Sequence, residues 1–571
     1  MKSTFLFVLI PVILFTLLQT GWSQHRYWVF LKDKGNYEQL SPEAQRLEVS
    51  RLVSPRALER RSRRGTDVFN KGNMWQDLPL EENYLQQLKK RGFGIHAKSR
   101  WLNAVSGTAT PENLDEIREL PFVKSVQPVK VWKFARVKYR AAPAKSFYKN
   151  LLRDSIIVDY GSSAFQTEFH NIHQLHYLGL NGAGVVVAMF DTGFRLSHPA
   201  LQTVKQQLLA EYDFVQMDSV TANQPGDALS QDSHGTFTLS VLGGYAPGDV
   251  VGPAFGANFL LAKTEKVDQE INLEEDNWAM AAEWAERQGA DIVSSSLGYS
   301  VFDTGQNSYT YRDIDGETTI VTRAANELGR RGVLVVNSAG NEGSNSWHYI
   351  IAPADGFYVL AVGALDATNE VTGFSSRGPT SDGRTKPDVC ALGSQVVGAG
   401  VSGGYVSASG TSASCPLAAG IAAQVLQAYP DLNVFQMLDI LRRSGDTSRF
   451  PNNDRGWGKI DARRAWAFAG NQSYQPPEAF RALPPRPNPI RRSSGVMFFP
   501  VELKNPGQIR IDIYNTLGQR INTLYYYGTN MQNLVPWNVR NFHGNPLASG
   551  MYLYHVSSAD GENSGKLVVL Q

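Results

Sequence analysis

The chain has few of the features that would tie it to a charged partner or to a disulfide framework. Its 571 residues include two cysteines, Cys390 and Cys415, and 55 basic against 53 acidic side chains leave a net charge of +2. So small a net charge produces only a weak electrostatic field, which argues against nucleic acid or an anionic membrane as the main partner. Two cysteines cannot form a disulfide scaffold, so hydrophobic cores must hold the fold. We expect two buried free thiols, although a Cys390–Cys415 bridge stays open.

Long apolar runs are equally scarce, and the one strong run lies at the N-terminus. Residues 5–18 are almost wholly apolar, Lys2 precedes them, and Gly21-Trp22-Ser23 offers small residues for a cleavage site. A run of this length is too short to span a bilayer and is typical of a secretory signal. We therefore expect residues 1–23 to be a signal peptide and the protein to be secreted or held at the cell surface.

Residues 24–140 predict a small domain of their own. Strand patterns at 27–31, 94–106 and 122–129 alternate with helix patterns, which gives the order β, α, β, α, β with one strand split. This order predicts an open-faced α+β sandwich of the ferredoxin-like kind, without a catalytic group of residues. We interpret its four clustered arginines as an exposed helical face rather than a processing site. They are Arg60, Arg61, Arg63 and Arg64.

Apolar strand patterns alternate with helix patterns from residue 155 to 470. Such alternation predicts a doubly wound α/β domain with a mostly parallel sheet and helices on both faces. Functional residues in such a domain lie beyond the carboxyl ends of the strands. The expected strands are 185–190, 259–262, 292–295, 333–336 and 358–362, with helices at 273–288 and 318–330.

Three histidines at three-residue spacing are the one pattern that suggests a metal site. They are His170, His173 and His176. Apolar residues share the same spacing, so an ordinary amphipathic helix explains the pattern better. We therefore assign no metal ligands.

Three short motifs in this region carry residues suited to nucleophilic catalysis. Asp191-Thr192-Gly193 follows the first strand, Ser233-His234-Gly235-Thr236 comes next, and Gly410-Thr411-Ser412 precedes an Ala-rich helical pattern. Each motif alone is ordinary turn or helix-cap chemistry. In this order, and with Asn337-Ser338-Ala339-Gly340-Asn341-Glu342-Gly343 after a buried strand, they resemble the subtilisin-like serine proteases, the subtilases. The resemblance covers residues 160–470, with further matching segments at 295–298, 361–364, 374–379, 386–389 and 456–462.

The resemblance implies a serine endopeptidase that works through an acyl-enzyme. Ser412 would be the nucleophile, His234 the base that takes its proton, and Asp191 the group that orients the imidazole. The Ser412 N–H and the side-chain amide of Asn341 would bind the oxyanion. Two segments would bind substrate: Ser296, Leu297 and Gly298, and Ser338, Ala339 and Gly340. The chain departs from the family pattern at Phe237, Ala413 and Leu417, outside the triad and oxyanion positions. No cofactor is required; calcium is common in the family, but no ligand set for it can be assigned.

Two other functions stay open at this stage. Asp-Thr-Gly occurs again at Asp303-Thr304-Gly305, and paired motifs of this kind are typical of aspartic proteases, in which Asp191 and Asp303 would share a proton. The α/β alternation is wrong for that all-β fold. The second alternative is a catalytically silent binding protein that kept the fold. The presence of all four catalytic residue types weighs against it.

The resemblance of residues 160–470 to a subtilase also suggests what the regions on either side of them do. Residues 24–140 resemble a propeptide that inhibits its own chain, with a permanent accessory domain as the alternative. Residues 471–489 form a proline-rich linker, and residues 490–571 alternate apolar and polar as in a β-sandwich. In that last region, Tyr514-Asn515-Thr516-Leu517-Gly518 and Ala548-Ser549-Gly550-Met551-Tyr552 resemble the C-terminal sorting domains of the type IX secretion system of Bacteroidetes-like bacteria. That implies the secretion machinery as a partner; an immunoglobulin-like spacer is the alternative.

Overall fold

The computed structural model describes most of the chain between residues 25 and 570. The described ranges are 25–66, 71–129, 139–141, 158–267, 274–299, 309–470, 480–485, 488–491, 497–505, 507–528, 532–537 and 539–570. The expected signal peptide, Asp303 and most of the proline-rich linker lie outside these ranges. Among the described residues, no helix combines the length and the apolar character needed to cross a membrane.

The N-terminal unit is a four-stranded antiparallel sheet with helices packed on it. Its elements are β1 (His25–Leu31), α1 (Pro42–Leu52), α2 (Pro55–Arg63), α3 (Lys71–Asp77), α4 (Glu82–Lys90), β2 (Gly94–Ser99), β3 (Ala104–Ala109), α5 (Pro111–Arg118) and β4 (Val123–Pro128). The sheet order is β2-β3-β1-β4. Leucines of α4 and α5 pack with β1, β3 and β4 in a core of their own. The expected α+β sandwich with a split strand is therefore present, and α1 to α3 are inserted between β1 and α4.

The clustered arginines do not form an exposed face. Arg60 and Arg61 are 3% and 1% exposed and both bind Glu286, at 2.5 and 2.8 Å. Arg64 is also buried and pairs with Asp291 at 2.8 Å. The expectation is therefore wrong for three of the four arginines. Their carboxylate partners lie 225 to 227 residues further along the chain, so no local pattern could reveal them.

The central unit is built on a seven-stranded sheet. Its elements are β5 (Tyr139–Ala141), α6 (Ala164–Phe169), α7 (Ile172–Tyr177), β6 (Val186–Asp191), α8 (Gln202–Gln206), β7 (Leu208–Asp213), α9 (Ser233–Gly243), β8 (Tyr245–Ala246), β9 (Val250–Val251), β10 (Asn258–Lys263), α10 (Glu274–Gln288), β11 (Ile292–Ser295), α11 (Ile320–Arg330), β12 (Leu334–Ser338), β13 (Val359–Leu365), β14 (Val389–Leu392), β15 (Val396–Ala399), β16 (Tyr405–Ala408), α12 (Thr411–Ala428), α13 (Val434–Ser444) and α14 (Ala462–Gly470). The sheet order is β14-β13-β12-β11-β6-β10-β7, and all its pairs are parallel. The predicted doubly wound architecture is confirmed.

Both faces of this sheet are buried. Along β6, Val187 and Met189 join one hydrophobic core, whereas Val186 and Phe190 join the other, as the two-residue period of a strand requires. The first core contains side chains of α9 and α12, and the second contains side chains of α10 and α11. The second core also includes Trp28 of β1, so the N-terminal unit docks on the α10–α11 side.

The C-terminal unit is a sandwich of two small sheets. Its strands are β17 (Arg481–Ala482), β18 (Ile490–Arg491), β19 (Met497–Glu502), β20 (Gly507–Tyr514), β21 (Arg520–Gly528), β22 (Gln532–Trp537), β23 (Gly550–Ser558) and β24 (Gly561–Leu570). They pair in the orders β17-β19-β22 and β18-β24-β23-β20-β21. Ile509, Ile511 and Ile513 of β20 are all buried in the core between the sheets, as their alternation predicts.

The three histidines do not share one helix. Asn171 has a φ of +57° and divides the expected amphipathic helix into α6 and α7. His170 is fully buried between Ile460 and Leu392, and burial lowers its pKa to about 4. Within the described ranges, no group of three or more His, Cys, Asp or Glu side chains is arranged to hold a metal ion. The two cysteines are free and buried, and burial raises the pKa of each thiol to about 12.

Candidate active site

The parallel sheet brings the predicted catalytic residues to one edge. Asp191 is the last residue of β6, and the next two strands across, β11 and β12, end at Ser295 and Ser338. The first turns of α9 and α12 carry His234 and Ser412, and these two helices pack against each other. Because the carboxyl ends of parallel strands share an edge, residues far apart in sequence meet here.

Asp191 and His234 form a buried, directed pair. The Nδ1 of His234 lies 2.7 Å from the Oδ1 of Asp191, and the two residues are 5% and 0% exposed. The same carboxylate accepts hydrogen bonds from the Thr192 N–H at 2.7 Å and from the Thr238 hydroxyl at 2.8 Å. Three donors therefore fix its orientation. Since Nδ1 donates to the carboxylate, the neutral ring carries its lone pair on Nε2, the atom on which a base receives a proton.

Ser412 is held at the start of a helix that contains a proline. Pro416 has no N–H, so it cannot bond the carbonyl four residues before it, which belongs to Ser412. The Ser296 hydroxyl donates to that carbonyl instead, at 2.9 Å. The Ser412 Oγ is buried and has no hydrogen-bond partner among the described residues. The backbone of this serine is thus anchored while its hydroxyl stays available.

Asn341 presents its amide to the same space. Its Oδ1 accepts hydrogen bonds from the backbone N–H and the hydroxyl of Thr411, at 2.8 and 3.0 Å, which leaves the Nδ2 hydrogens facing away from Thr411. A Cβ atom placed on Gly410 would lie 3.0 Å from the Ser412 Oγ and 3.6 Å from the Asn341 Nδ2. Both groups therefore border one small volume, which stays open because residue 410 has no side chain. The N–H of Ser412, in the first turn of α12, has no intrahelical acceptor.

The two predicted substrate segments lie side by side. Asn337, at the end of β12, donates through Nδ2 to the Leu297 carbonyl at 2.9 Å, and the Ser338 hydroxyl approaches the same carbonyl at 3.3 Å. Leu297 and Ala339 are fully buried in the second core, so their side chains hold the segments in place and do not line the surface. The structure thus brings all ten predicted site residues to one edge of the sheet. They are Asp191, His234, Ser412, Asn341, Ser296, Leu297, Gly298, Ser338, Ala339 and Gly340.

Sequence reasoning missed several contacts that support this site. Thr238 follows His234 by four residues, so helical spacing alone could have placed it on the same face. The anchoring roles of Thr411 and Ser296 had no comparable signal, because each depends on a partner in a distant segment. The three departures from the family pattern, Phe237, Ala413 and Leu417, are all buried in the first core.

Comparison with known proteins bears on this geometry. Residues 182–458 match the sequence model of the subtilase family. Serine protease AprX of Bacillus subtilis is 30% identical over 311 residues, which are 50% of this chain and 67% of that protein. Subtilisin BL of Lederbergia lenta is 30% identical over 293 residues, 51% of this chain and 93% of that protein. This chain belongs to the subtilase family. Subtilases are serine peptidases, and residues 26–145 match the model of the peptidase S8 propeptide domain of Bacteroidota.

More distant relatives agree with this subtilase fold. Fervidolysin from Fervidobacterium pennivorans, a keratinolytic enzyme related to subtilisin, superposes with a TM-score of 0.57 at 18% identity and covers 96% of this chain and 77% of its own. That likeness concerns the fold alone. The membrane-bound transcription factor site-1 protease of Homo sapiens is 27% identical over 318 residues, 53% of this chain. The subtilase described here spans only 26% of the length of that relative.

Proposed function

We propose that this subtilase is a secreted serine endopeptidase made as a zymogen, with Asp191, His234 and Ser412 as its triad. One observation carries the proposal. The imidazole of His234 is bound to the Asp191 carboxylate at 2.7 Å, while the buried Ser412 hydroxyl beside the Asn341 amide makes no hydrogen bond of its own among the described residues. A nucleophile, its base and the orienting carboxylate are the set that acyl transfer needs.

The chemistry follows from these atoms. The Oγ of Ser412 attacks the scissile carbonyl carbon while the Nε2 of His234 takes the hydroxyl proton. The carbonyl oxygen becomes an oxyanion, which accepts hydrogen bonds from the Ser412 N–H and the Nδ2 of Asn341. His234 then protonates the leaving amine, the C–N bond breaks, and an acyl-enzyme remains. Water hydrolyses this ester by the same steps, and no cofactor takes part.

The propeptide domain acts as an intramolecular inhibitor. β5 lies near the C-terminal end of the region that matches the propeptide model and pairs antiparallel with β16, whose last residue is Ala408. β16 ends four residues before Ser412, so β5 occupies an edge beside the nucleophile as an added strand. This placement supports inhibition in the uncut chain and an accessible site after processing.

Secretion is proposed to use both ends of the chain. Residues 1–23 would direct export, and the sandwich of residues 490–571 would be recognised by the type IX secretion machinery. The relatives include an extracellular serine protease of Natrialba magadii, which supports an extracellular place of action. Calcium sites remain unassigned.

Fluorophosphonate labelling tests the proposal. The processed protein should be labelled at Ser412, and Ser412→Ala should abolish both labelling and peptide hydrolysis. Ser414→Ala is the matched control, because Ser414 is also a buried serine of α12 whose hydroxyl lacks a partner among the described residues. Absence of label on a processed protein would favour the silent binding protein. Inhibition by pepstatin with an acid optimum would favour an aspartic protease.

A further inference from the structure

A side chain fills the space between the two substrate segments. Built on Gly298, a Cβ atom would lie 2.2 Å from the Cδ1 and 2.6 Å from the Cγ1 of Ile351. Built on Gly340, it would lie 2.9 Å from each of the same two atoms. Ordinary van der Waals contact begins at about 3.4 Å, so a methyl group on either glycine would require the Ile351 side chain to move. The outer carbons of Ile351 therefore touch both segments at the positions where each has no side chain.

The backbone fixes Ile351 in this place. The Ile351 N–H donates to the Ala339 carbonyl at 3.1 Å, which ties it to one substrate segment. The next residue, Ala352, exchanges two backbone hydrogen bonds with Tyr299, at 3.0 and 3.3 Å, which ties it to the end of the other. Ile351 is 6% exposed. The bonds fix the position of its backbone, and the close packing around its buried side chain makes the filled space part of the folded structure.

This space adjoins the proposed reaction centre. Gly340 is the residue before Asn341, whose amide would bind the oxyanion, and Ser296, two residues before Gly298, bonds the carbonyl of Ser412. A substrate residue whose carbonyl carbon meets the Ser412 Oγ would therefore direct its side chain between the two segments. We refer to this residue as P1.

The described atoms nearest the space are uncharged. The atoms nearest the bare faces of Gly298 and Gly340 are the Ile351 carbons, the Ala352 carbonyl and the Ser376 hydroxyl. That hydroxyl already accepts a hydrogen bond from the Glu342 N–H at 3.0 Å. None of these nearest atoms in the described part of the chain belongs to a carboxylate that could pair with a lysine or arginine side chain, so we expect size to decide which side chain enters.

Resting on the proposed peptidase function, we propose that Ile351 is the specificity-determining residue and restricts cleavage to bonds after small residues such as alanine and serine. Leucine, phenylalanine, tyrosine and lysine at P1 would need the volume that Ile351 occupies. A single methylene in an apolar pocket changes kcat/KM by about 10- to 200-fold. We therefore expect alanine at P1 to be preferred over phenylalanine by at least about 100-fold in kcat/KM.

Peptide anilides that differ only at P1 test this, with alanine, valine, leucine, phenylalanine and lysine in turn. Ile351→Ala in the full-length, self-processed enzyme should raise kcat/KM for leucine and phenylalanine by at least about 10-fold and leave alanine within about threefold. Ile351→Val should raise kcat/KM for leucine and phenylalanine by an intermediate factor. Because it removes only one methylene, it tests the same idea with little risk of a folding defect. Ile350→Ala is the matched control, because Ile350 is also a buried isoleucine of the same segment but packs in the second core.

Active-site titration with a small fluorophosphonate distinguishes failure of the peptidase proposal from failure of the role proposed for Ile351. If the wild-type protein neither titrates nor cleaves any anilide, the peptidase proposal fails and this inference with it. If it titrates and cleaves after phenylalanine or leucine as fast as after alanine, the role of Ile351 alone is overturned. The role is overturned too if Ile351→Ala leaves the P1 preference unchanged, or if Ile350→Ala changes it equally.

Discussion

Replacing Asp77 with asparagine should loosen the propeptide domain from the peptidase domain. Asp77 accepts hydrogen bonds from Arg61 of its own domain at 2.5 Å and from Arg331 of the peptidase domain at 3.0 Å. All three side chains are at most 1% exposed. Burial by itself raises the pKa of the Asp77 carboxyl, but Arg331 and Arg61 outweigh it and hold that pKa below its ordinary value. The carboxylate is therefore charged and shared across the interface.

The magnitude follows from what the two guanidinium groups retain. Removing one partner of a buried ion pair costs about 3–5 kcal/mol, because a charge is left in a dry site. Here Arg61 keeps Glu286 at 2.8 Å and Arg331 keeps Glu327 at 2.5 Å. We therefore expect Asp77→Asn to weaken docking of the two domains by the lower end of that range, about 3 kcal/mol, which is roughly a 100-fold change in the docking equilibrium.

Hydrogen exchange in the full-length Ser412→Ala chain measures this without self-cleavage. Exchange of the α2 amides should become about 100-fold faster in Asp77→Asn, while the amides of β1 keep their rates if the domain itself stays folded. Glu59→Gln is the matched control, because its exposed pair with Arg63 on the same helix is worth only about 0.5 kcal/mol, or twofold. Equal effects of the two substitutions would refute the idea that the buried network holds the domains together.

Two further predictions concern catalysis and pH. Asn341→Ala should lower kcat by about 100- to 1,000-fold with little change in KM, which is the range known for loss of this amide in a subtilisin. Asn345→Ala, outside the site, should be near wild type in steady-state assays. Burial against the propeptide domain raises the pKa of Asp276 to about 7. Between about pH 4 and pH 7 the docked state thus holds one proton more than the undocked state, so docking weakens as pH rises. Hydrogen exchange of the α2 amides, corrected for the intrinsic pH dependence of exchange, should lose this pH dependence in Asp276→Asn. An unchanged pH dependence in that variant would exclude Asp276 as its source.

The sheet was largely predictable because buried parallel strands read as short apolar runs. The run expected at 292–295 coincides with β11, and the other four strands are displaced by one to three residues at their ends. The Ala-rich helical pattern after Gly410 runs from Leu417 to Tyr429, whereas α12 begins already at Thr411. Pro416 lies inside this helix, and its missing N–H is tolerated because Ser296 satisfies the carbonyl that loses its partner.

The candidate site was predictable in its motifs but not in its shape. The order of Asp191, His234, Asn341 and Ser412 indicated the chemistry, and their catalytic roles stay predictions. The position of Ile351 could not be read, since it depends on three backbone segments crossing at one point. The burial of α2 was hidden for the same reason: arginines on a helix look exposed until their distant carboxylates are placed.

The proposed inhibition through the pairing of β5 with β16 would not depend on how dilute the protein is. Two groups on one chain meet at an effective concentration of about mM when the connection is short, whatever the volume around the molecule. Once the connection is cut, the same contact becomes an equilibrium between two molecules. We therefore expect a larger fraction of the processed enzyme to be active in a dilute sample than in a concentrated one, so that dilution would itself switch the enzyme on.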